Sequence, residues 1–213
     1  MTERRSGNLI IMTKRPRCGR VKTRLAANIG DTAALEVYRS LLDHVLQLAV
    51  DVQRQLDLTI WWFVADDSGL TWAQSFTPPS HNRRSQNGTD LGERMFDAVS
   101  TAYAENPAPL LIIGCDCPEL SINKLTQLLA AVEQNDAAII PAHDGGYVAL
   151  AMTKPLRELF FGPAWGTGTV LSKTLKIARQ HEYSLAQMEP CHDLDTVSVL
   201  ARFPQFNPKA KPD

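Results

Sequence analysis

Leu9-Ile10-Ile11-Met12-Thr13-Lys14-Arg15-Pro16-Arg17-Cys18-Gly19-Arg20-Val21-Lys22-Thr23-Arg24-Leu25 decides how the chain is read. Its apolar start, Asn8 to Thr13, reads as a buried strand. Lys14, Arg15, Arg17, Arg20, Lys22 and Arg24 follow in quick succession, with Gly19 among them. The whole chain carries a formal net charge of only −1, so this is a local concentration of positive charge. A basic, glycine-containing loop after a first strand is a place where phosphate binds. A nucleoside triphosphate carries about four negative charges, which several Lys and Arg groups and exposed backbone N–H groups would answer. The plainer reading is a solvated charged loop. Two named phosphate motifs fail. The dinucleotide fingerprint G-x-G-x-x-G is absent, and Lys22-Thr23 follows Val21 where a Walker A loop needs glycine.

Beyond the loop the pattern alternates. Asp31 is an expected N-cap for a helix from Thr32 to about Gln53, with Ala34, Tyr38, Leu41, Val45 and Leu48 as its apolar stripe. Strands are expected over Leu58–Ala65, Asn82–Gln86, Leu110–Gly114, Ala137–Pro141, Tyr147–Met152 and Tyr183–Met188. Asp66-Asp67-Ser68-Gly69 closes the second strand, and a short helix follows around Leu70–Ser75. Asp90 and Glu93 form a capping-box pattern for a helix to about Ala104. Ser121 caps another through about Glu133, Val170–Gln180 is a third, and a last short helix follows Thr196. Strands alternating with helices predict an α/β fold with a mainly parallel sheet and helices on both faces. Ligands bind such sheets beyond the carboxyl ends of the strands. The basic loop, Asp66/Asp67, Asp116 and Asp144 all follow strands.

Length and composition set outer bounds. A chain of 213 residues, 44% hydrophobic and 21% charged, suits one globular domain. It is expected over residues 8–206, with disordered tails at 1–7 and 207–213. Near-neutral charge gives no reason to expect a nucleic-acid or membrane-surface partner. No stretch approaches the roughly 18 apolar residues of a transmembrane span. Residues 1–7 are polar, unlike a signal peptide, so a cytoplasmic location is the default expectation. Cys18, Cys115, Cys117 and Cys191 are few and form no C-x-x-C pair, which favours reduced thiols over disulfides or structural zinc.

Three acidic or glycine-rich stretches carry candidate chemistry. Asp116 ends an apolar strand, where a carboxylate must be solvated, capped or paired. Mg²⁺ or Mn²⁺ would suit it, and so would a turn-capping role. In Asp193-Leu194-Asp195 either carboxylate could supply a second metal ligand, or Asp195 could cap the final helix. His143-Asp144-Gly145-Gly146-Tyr147 is either a substrate-binding turn or a tight strand connection. Trp165-Gly166-Thr167 either lines the same cleft or packs beside it.

Six segments resemble, in order, those of a bacterial family. They are residues 14–25, Asp90-Leu91-Gly92-Glu93-Arg94-Met95, Ile113-Gly114-Cys115-Asp116-Cys117-Pro118, Pro141-Ala142-His143-Asp144-Gly145-Gly146-Tyr147, Trp165-Gly166-Thr167 and Asp193-Leu194-Asp195-Thr196. The family is the nucleotide-diphospho-sugar-transferase-like group with the glycosyltransferase-A fold. It was formerly a domain of unknown function and is also called radical-SAM/selenodomain-associated transferase 1. It looks related to the 2-phospholactate guanylyltransferases and molybdenum-cofactor nucleotidyltransferases. Met12-Thr13 in place of an apolar-Ala pair, and Gly166 where Ser is frequent, are its two small departures.

The resemblance implies a three-layer α/β/α fold with a nucleotide over the first loop. It implies nucleotide contacts from Lys14, Gly19, Lys22, Thr23, Arg24, Gln86, Gly88, Asp90 and Arg94. Asp144, Gly145, Gly146, Trp165 and Thr167 would meet the second substrate. Asp116 would take the metal-aspartate position, with Asp195 ahead of Asp193 as second ligand. The favoured activity is Mg²⁺- or Mn²⁺-dependent nucleotidyl transfer to a small phosphorylated acceptor, with Lys22, Arg24 and Asp116 as catalytic residues. Glycosyl transfer from a nucleotide-diphospho-sugar, with Asp144 or His143 as base, is the alternative on the same fold. A nucleotide-binding protein without turnover is the alternative of another class.

Overall fold

The computed structural model describes residues 6–66 and 69–208. Of the expected tails 1–7 and 207–213, residues 1–5 and 209–213 lie outside the described residues, as do Asp67 and Ser68 of the turn after the second strand. Ser6 is tied down, its Oγ donating to Leu56 O at 2.6 Å. Gly7 already belongs to the first strand.

The sheet has seven strands among the described residues: β1 Gly7–Thr13, β2 Leu58–Val64, β3 Asn82–Ser85, β4 Leu110–Ile113, β5 Ala137–Pro141, β6 Tyr147–Met152 and β7 Leu185–Gln187. Their spatial order is β3-β2-β1-β4-β6-β5-β7. All neighbours are parallel except β6, which runs antiparallel to both β4 and β5. The reversal has a consequence for the site. Tyr147, the first residue of β6, comes to the same sheet end as Thr13 and Ile113, the last residues of β1 and β4. The hairpin Asp144-Gly145-Gly146 is thereby brought to the carboxyl ends of the parallel strands.

The helices are α1 Thr23–Ile29, α2 Asp31–Gln55, α3 Gly69–Phe76, α4 Leu91–Glu105, α5 Ile122–Ala131, α6 Val170–Gln180 and α7 Val197–Leu200. The period-two alternation of strand side chains divides β1 between two cores. Leu9 and Ile11 join Ile60, Trp62, Leu111 and Ile113 beneath α2 and α5. Ile10 joins Trp61, Phe63 and Ile112 beneath α4. A third cluster, Leu25, Val37, Leu41, Leu194, Leu200 and Phe206, pins α1 and the C-terminal segment to α2. Each such fully buried side chain stabilises the fold by about 1.5–3 kcal/mol relative to exposure.

Two helix starts differ from expectation. Asp31 is the first residue of α2, and Gly30, at φ 86°, is its N-cap. Gly30 also ends α1, so a left-handed glycine separates two helices where one was expected. Asp90 does cap α4, accepting from Glu93 N at 2.9 Å. Glu93 closes on Thr89 N and Oγ1, both at 2.7 Å, one residue before the partner that a capping box uses.

Candidate functional site

A cavity of about 650 Å³ opens at the carboxyl ends of β1 and β4. One wall comes from the loop after β1, the first turn of α1, the end of β3 and the start of α4, carrying Lys14, Arg20, Arg24, Gln86 and Arg94. The other comes from the β4 end, the β5–β6 hairpin and the segment before α7, carrying Asp116, Asp144, Asp193 and Asp195. A smaller cavity of about 350 Å³ beside it is lined by Lys14, Arg15, Arg17, Arg20 and Arg94, with Ala65 and Asp66.

Lys22 joins the two walls. It adopts a left-handed backbone, φ 49° and ψ 41°, and serves as the N-cap of α1. A non-glycine residue in that region is strained, and the turn throws its side chain inward. The Lys22 side chain is 2% exposed. Its Nζ contacts an Asp116 carboxylate oxygen and lies 3.0 Å from Asp195 Oδ1. Burial alone would pull the ammonium pKa down, but the Asp116 and Asp195 carboxylates outweigh it and hold the pKa above its ordinary value. Arg24 Nη1 approaches Asp195 Oδ2 at 3.9 Å from an exposed position, so it adds a weaker charge contact.

The acidic wall is assembled by backbone contacts. Cys191 pairs with Ala142, and His143 N donates to Cys191 O at 3.1 Å. Leu194 N donates to Asp116 O at 2.9 Å, which sets Asp193 and Asp195 on either side of that bond. Burial and the repulsion of Asp116 and Asp144 raise the Asp193 carboxyl pKa to about 7. Asp195 does not cap the final helix. Thr196 does, accepting from Val199 N at 3.3 Å, so the Asp195 carboxylate is free to meet Lys22. Asp116 likewise spends its carboxylate on Lys22.

Lys14, Lys22, Thr23, Arg24, Gln86, Arg94, Asp116, Asp144, Gly146, Trp165, Thr167, Asp193 and Asp195 all line the larger cavity. Gly19, Gly88, Asp90 and Gly145 do not, and each has a structural task. Gly19, at φ 70°, faces Asp31 at the start of α2. Gly88 lies against the first turn of α4, where Arg94 Nε donates to its carbonyl at 3.0 Å. Asp90 is a helix cap. A Cβ on Gly145 would lie 2.1 Å from Gly168 O, so this glycine lets the hairpin pack against the loop before α6.

Two aromatic hydroxyls escaped the sequence reading. Tyr38 counted as a core-stripe residue, yet its hydroxyl donates to Lys14 O and accepts from Lys14 N, both at 3.1 Å. It fixes the first residue of the basic loop. Burial, together with Cys115, raises its pKa, so it stays neutral. Tyr147 stacks edge-on to Trp165 with ring centroids 6.0 Å apart, and its buried hydroxyl has no hydrogen-bond partner among the described residues. Tyr38 was legible only as part of an apolar stripe and Tyr147 only as part of the hairpin turn; a hydroxyl's partner depends on tertiary placement.

The donor set fits a hard divalent cation. Asp116 and Asp195 present oxygen ligands that already share one cation, the Lys22 ammonium, at a wall with surplus negative charge. Among the described residues no three His, Cys, Asp or Glu groups already converge as a preformed metal cage. Two carboxylates would therefore hold the ion, with substrate phosphate oxygens completing its shell, as is usual for Mg²⁺. Cys115, Cys117 and Cys191 are buried free thiols.

Known proteins resemble the chain at three levels. A phosphoenolpyruvate guanylyltransferase from Sphaerobacter thermophilus is 29% identical over 160 residues, covering 72% of this chain and 70% of that protein. A provisionally assigned nucleotide-diphospho-sugar transferase from Desulfovibrio desulfuricans superposes with a TM-score of 0.82 at 24% identity, covering 98% of this chain and 100% of that one. A Methanothermobacter nucleotidyl transferase superposes with a TM-score of 0.61 at 13% identity, covering 93% and 97%. These superpositions bear out the expected α/β fold of the nucleotide-diphospho-sugar transferases. Residues 46–167 match the family described as an uncharacterized protein conserved in bacteria, DUF2064, and the chain belongs to that family.

Proposed function

We infer that the chain is a metal-dependent nucleotidyltransferase that joins a nucleoside monophosphate to a small phosphorylated acceptor and releases pyrophosphate. The observation that carries this reading is the buried Lys22 ammonium, held by Asp116 and Asp195 between a cationic and an acidic wall of one cavity. The guanylyltransferase relative supports it and makes GTP the first triphosphate to try.

Lys14, Arg20, Arg24 and Arg94 bind the triphosphate, and the smaller cationic cavity extends their reach. Asp116 and Asp195 would hold Mg²⁺ or Mn²⁺, which supplies charge neutralisation at the α-phosphate. An acceptor phosphate oxygen attacks the α-phosphorus in line. The bond to the bridging oxygen breaks, and that oxygen leaves with its electron pair on pyrophosphate. No residue has to remove a proton, because the acceptor oxygen is already anionic. Lys22 stays paired with the two carboxylates and meets the charge that grows on the α-phosphate oxygens.

Pyrophosphate release in the presence of Mg²⁺, a triphosphate panel and phosphorylated acceptors tests this reading. Release of a nucleoside diphosphate from a nucleotide sugar overturns it in favour of glycosyl transfer. Tight nucleotide binding with no product across the panel overturns it in favour of a binding protein.

A further inference from the structure

We propose that the hydrogen-bonded pair Glu119–His192 is a strap that sets the spacing of the Asp116 and Asp195 carboxylates, so that the two are preorganised to share one divalent cation. The inference rests on the assignment of those aspartates to the metal in the nucleotidyl-transfer reading above.

Asp116 and Asp195 reach the cavity from separate segments, the loop after β4 and the stretch before α7. Two rungs cross between those segments. Leu194 N donates to Asp116 O at 2.9 Å, and His192 Nδ1 donates to Glu119 Oε1 at 2.7 Å. The partners run in opposite directions along the chain, 116 with 194 and 119 with 192. A single rung is a pivot, about which one carboxylate can swing relative to the other. The second rung removes that freedom. Pro118 stands between Asp116 and Glu119 with its φ fixed by the ring, so the loop passes a shift at Glu119 on to Asp116.

The strap is itself held. The His192 ring packs on His143 with centroids 4.1 Å apart and edge-on to Phe203 at 6.3 Å. His143 N donates to Cys191 O at 3.1 Å, which keeps the hairpin against the residue before His192. The far end of the Glu119 loop is fixed where His44 Nε2 donates to Leu120 O at 3.1 Å. The His192 and Glu119 side chains are only 16% and 25% exposed, so water competes little for their bond. Neither residue lines either cavity, so the pair acts through the aspartates as positioning residues. Carboxylates held at a fixed separation lose less freedom on closing around an ion, which is how groups behind a metal's own ligands tune its affinity.

The test measures binding of Mn²⁺ alone to the whole chain by electron paramagnetic resonance, with pyrophosphate release from GTP and phosphorylated acceptors followed across a Mg²⁺ titration. Glu119→Ala should raise the Kd for Mn²⁺ about tenfold. The Mg²⁺ concentration for half-maximal activity should rise in step, with kcat at saturating Mg²⁺ little changed. Glu119→Gln keeps an acceptor for the imidazole N–H and should restore Mn²⁺ binding close to wild type. His192→Phe keeps the ring stack, breaks the bond and should match Glu119→Ala; it carries the test if Glu119→Ala does not fold. The two changes together should cost no more than either alone, because both break one bond. An unchanged Kd in folded Glu119→Ala or His192→Phe overturns the strap and leaves the metal site standing. Equal losses in Glu119→Gln and Glu119→Ala overturn it in favour of attraction by the Glu119 charge. A wild-type chain that binds no Mn²⁺ overturns the strap and the metal site together, and pyrophosphate release in the same preparation then decides whether nucleotidyl transfer stands.

Discussion

Lys22 and Asp195 are far apart in sequence, yet Lys22 Nζ lies 3.0 Å from Asp195 Oδ1 inside the cavity. The same ammonium contacts Asp116, so one buried cation joins the loop after β1 to the two acidic segments. Lys22→Met removes it, leaving Asp116 without its Lys22 partner and Asp195 with only the weaker contact from exposed Arg24. Turnover should fall by about 10²–10³, the cost of deleting one fixed electrostatic partner of the reacting group. Steady-state kinetics checks this, with circular dichroism confirming the fold. Unchanged kcat would remove Lys22 from the mechanism.

Asp195 and Thr196 are neighbours with separable tasks. Thr196→Ala deletes the cap of α7 and should cost about 1 kcal/mol in urea unfolding, with Mg²⁺ dependence unchanged. Asp195→Asn should raise the Mg²⁺ concentration for half-maximal activity several-fold and leave the α7 cap intact. If Thr196→Ala moved the Mg²⁺ dependence instead, Asp195 would lose its assignment as a ligand.

Tyr38 holds the backbone of Lys14 through both its N–H and its C=O. Tyr38→Phe keeps the packing and deletes the strap, so the loop loses its anchor. The expected result is a KM for triphosphate raised about five- to tenfold with kcat little changed, since about 1 kcal/mol of hydrogen bonding is removed from a positioning contact. A matched fall in kcat with unchanged KM would place Tyr38 in the chemistry.

His81 makes stability fall in mild acid. Burial, and secondarily the charge of Arg83, lowers its pKa to about 4 from an ordinary 6.5. Trp62 Nε1 donates to His81 Nδ1 at 3.1 Å, so the folded ring must stay neutral. The unfolded chain takes the proton first. Stability is therefore full above pH 6.5 and declines as pH falls toward 4, by about 3 kcal/mol in all. Urea unfolding across that range measures the slope. His81→Gln, which keeps an acceptor for Trp62, should flatten it.

Much of this architecture was open to reading because it depends on local pattern. The buried strands, the Asp90 and Ser121 caps and the Val170–Gln180 helix follow from apolar period and capping chemistry, which short windows contain. The antiparallel sense of β6 did not follow, because alternation in a strand carries no direction. Helix α1 was not legible, because Leu25 is its one buried residue and its start lies inside the basic loop. At the site, Asp116, Asp195 and the basic loop were visible as charges that needed partners. The burial of Lys22 between those carboxylates was not, since a lysine in a basic loop looks like any other. Thr196 taking the helix cap from Asp195 settles an ambiguity that neighbouring cap-forming residues leave in any sequence.

The most direct measurement follows a triphosphate radiolabelled at the α-phosphorus, incubated with the protein, Mg²⁺ and a phosphorylated acceptor. The expected result is label in a new nucleoside diphosphate joined to the acceptor's skeleton, with an equimolar yield of unlabelled pyrophosphate and loss of both in Asp116→Ala. Label that stays in the triphosphate, while an unlabelled nucleotide sugar is consumed to release its nucleoside diphosphate, would contradict the account.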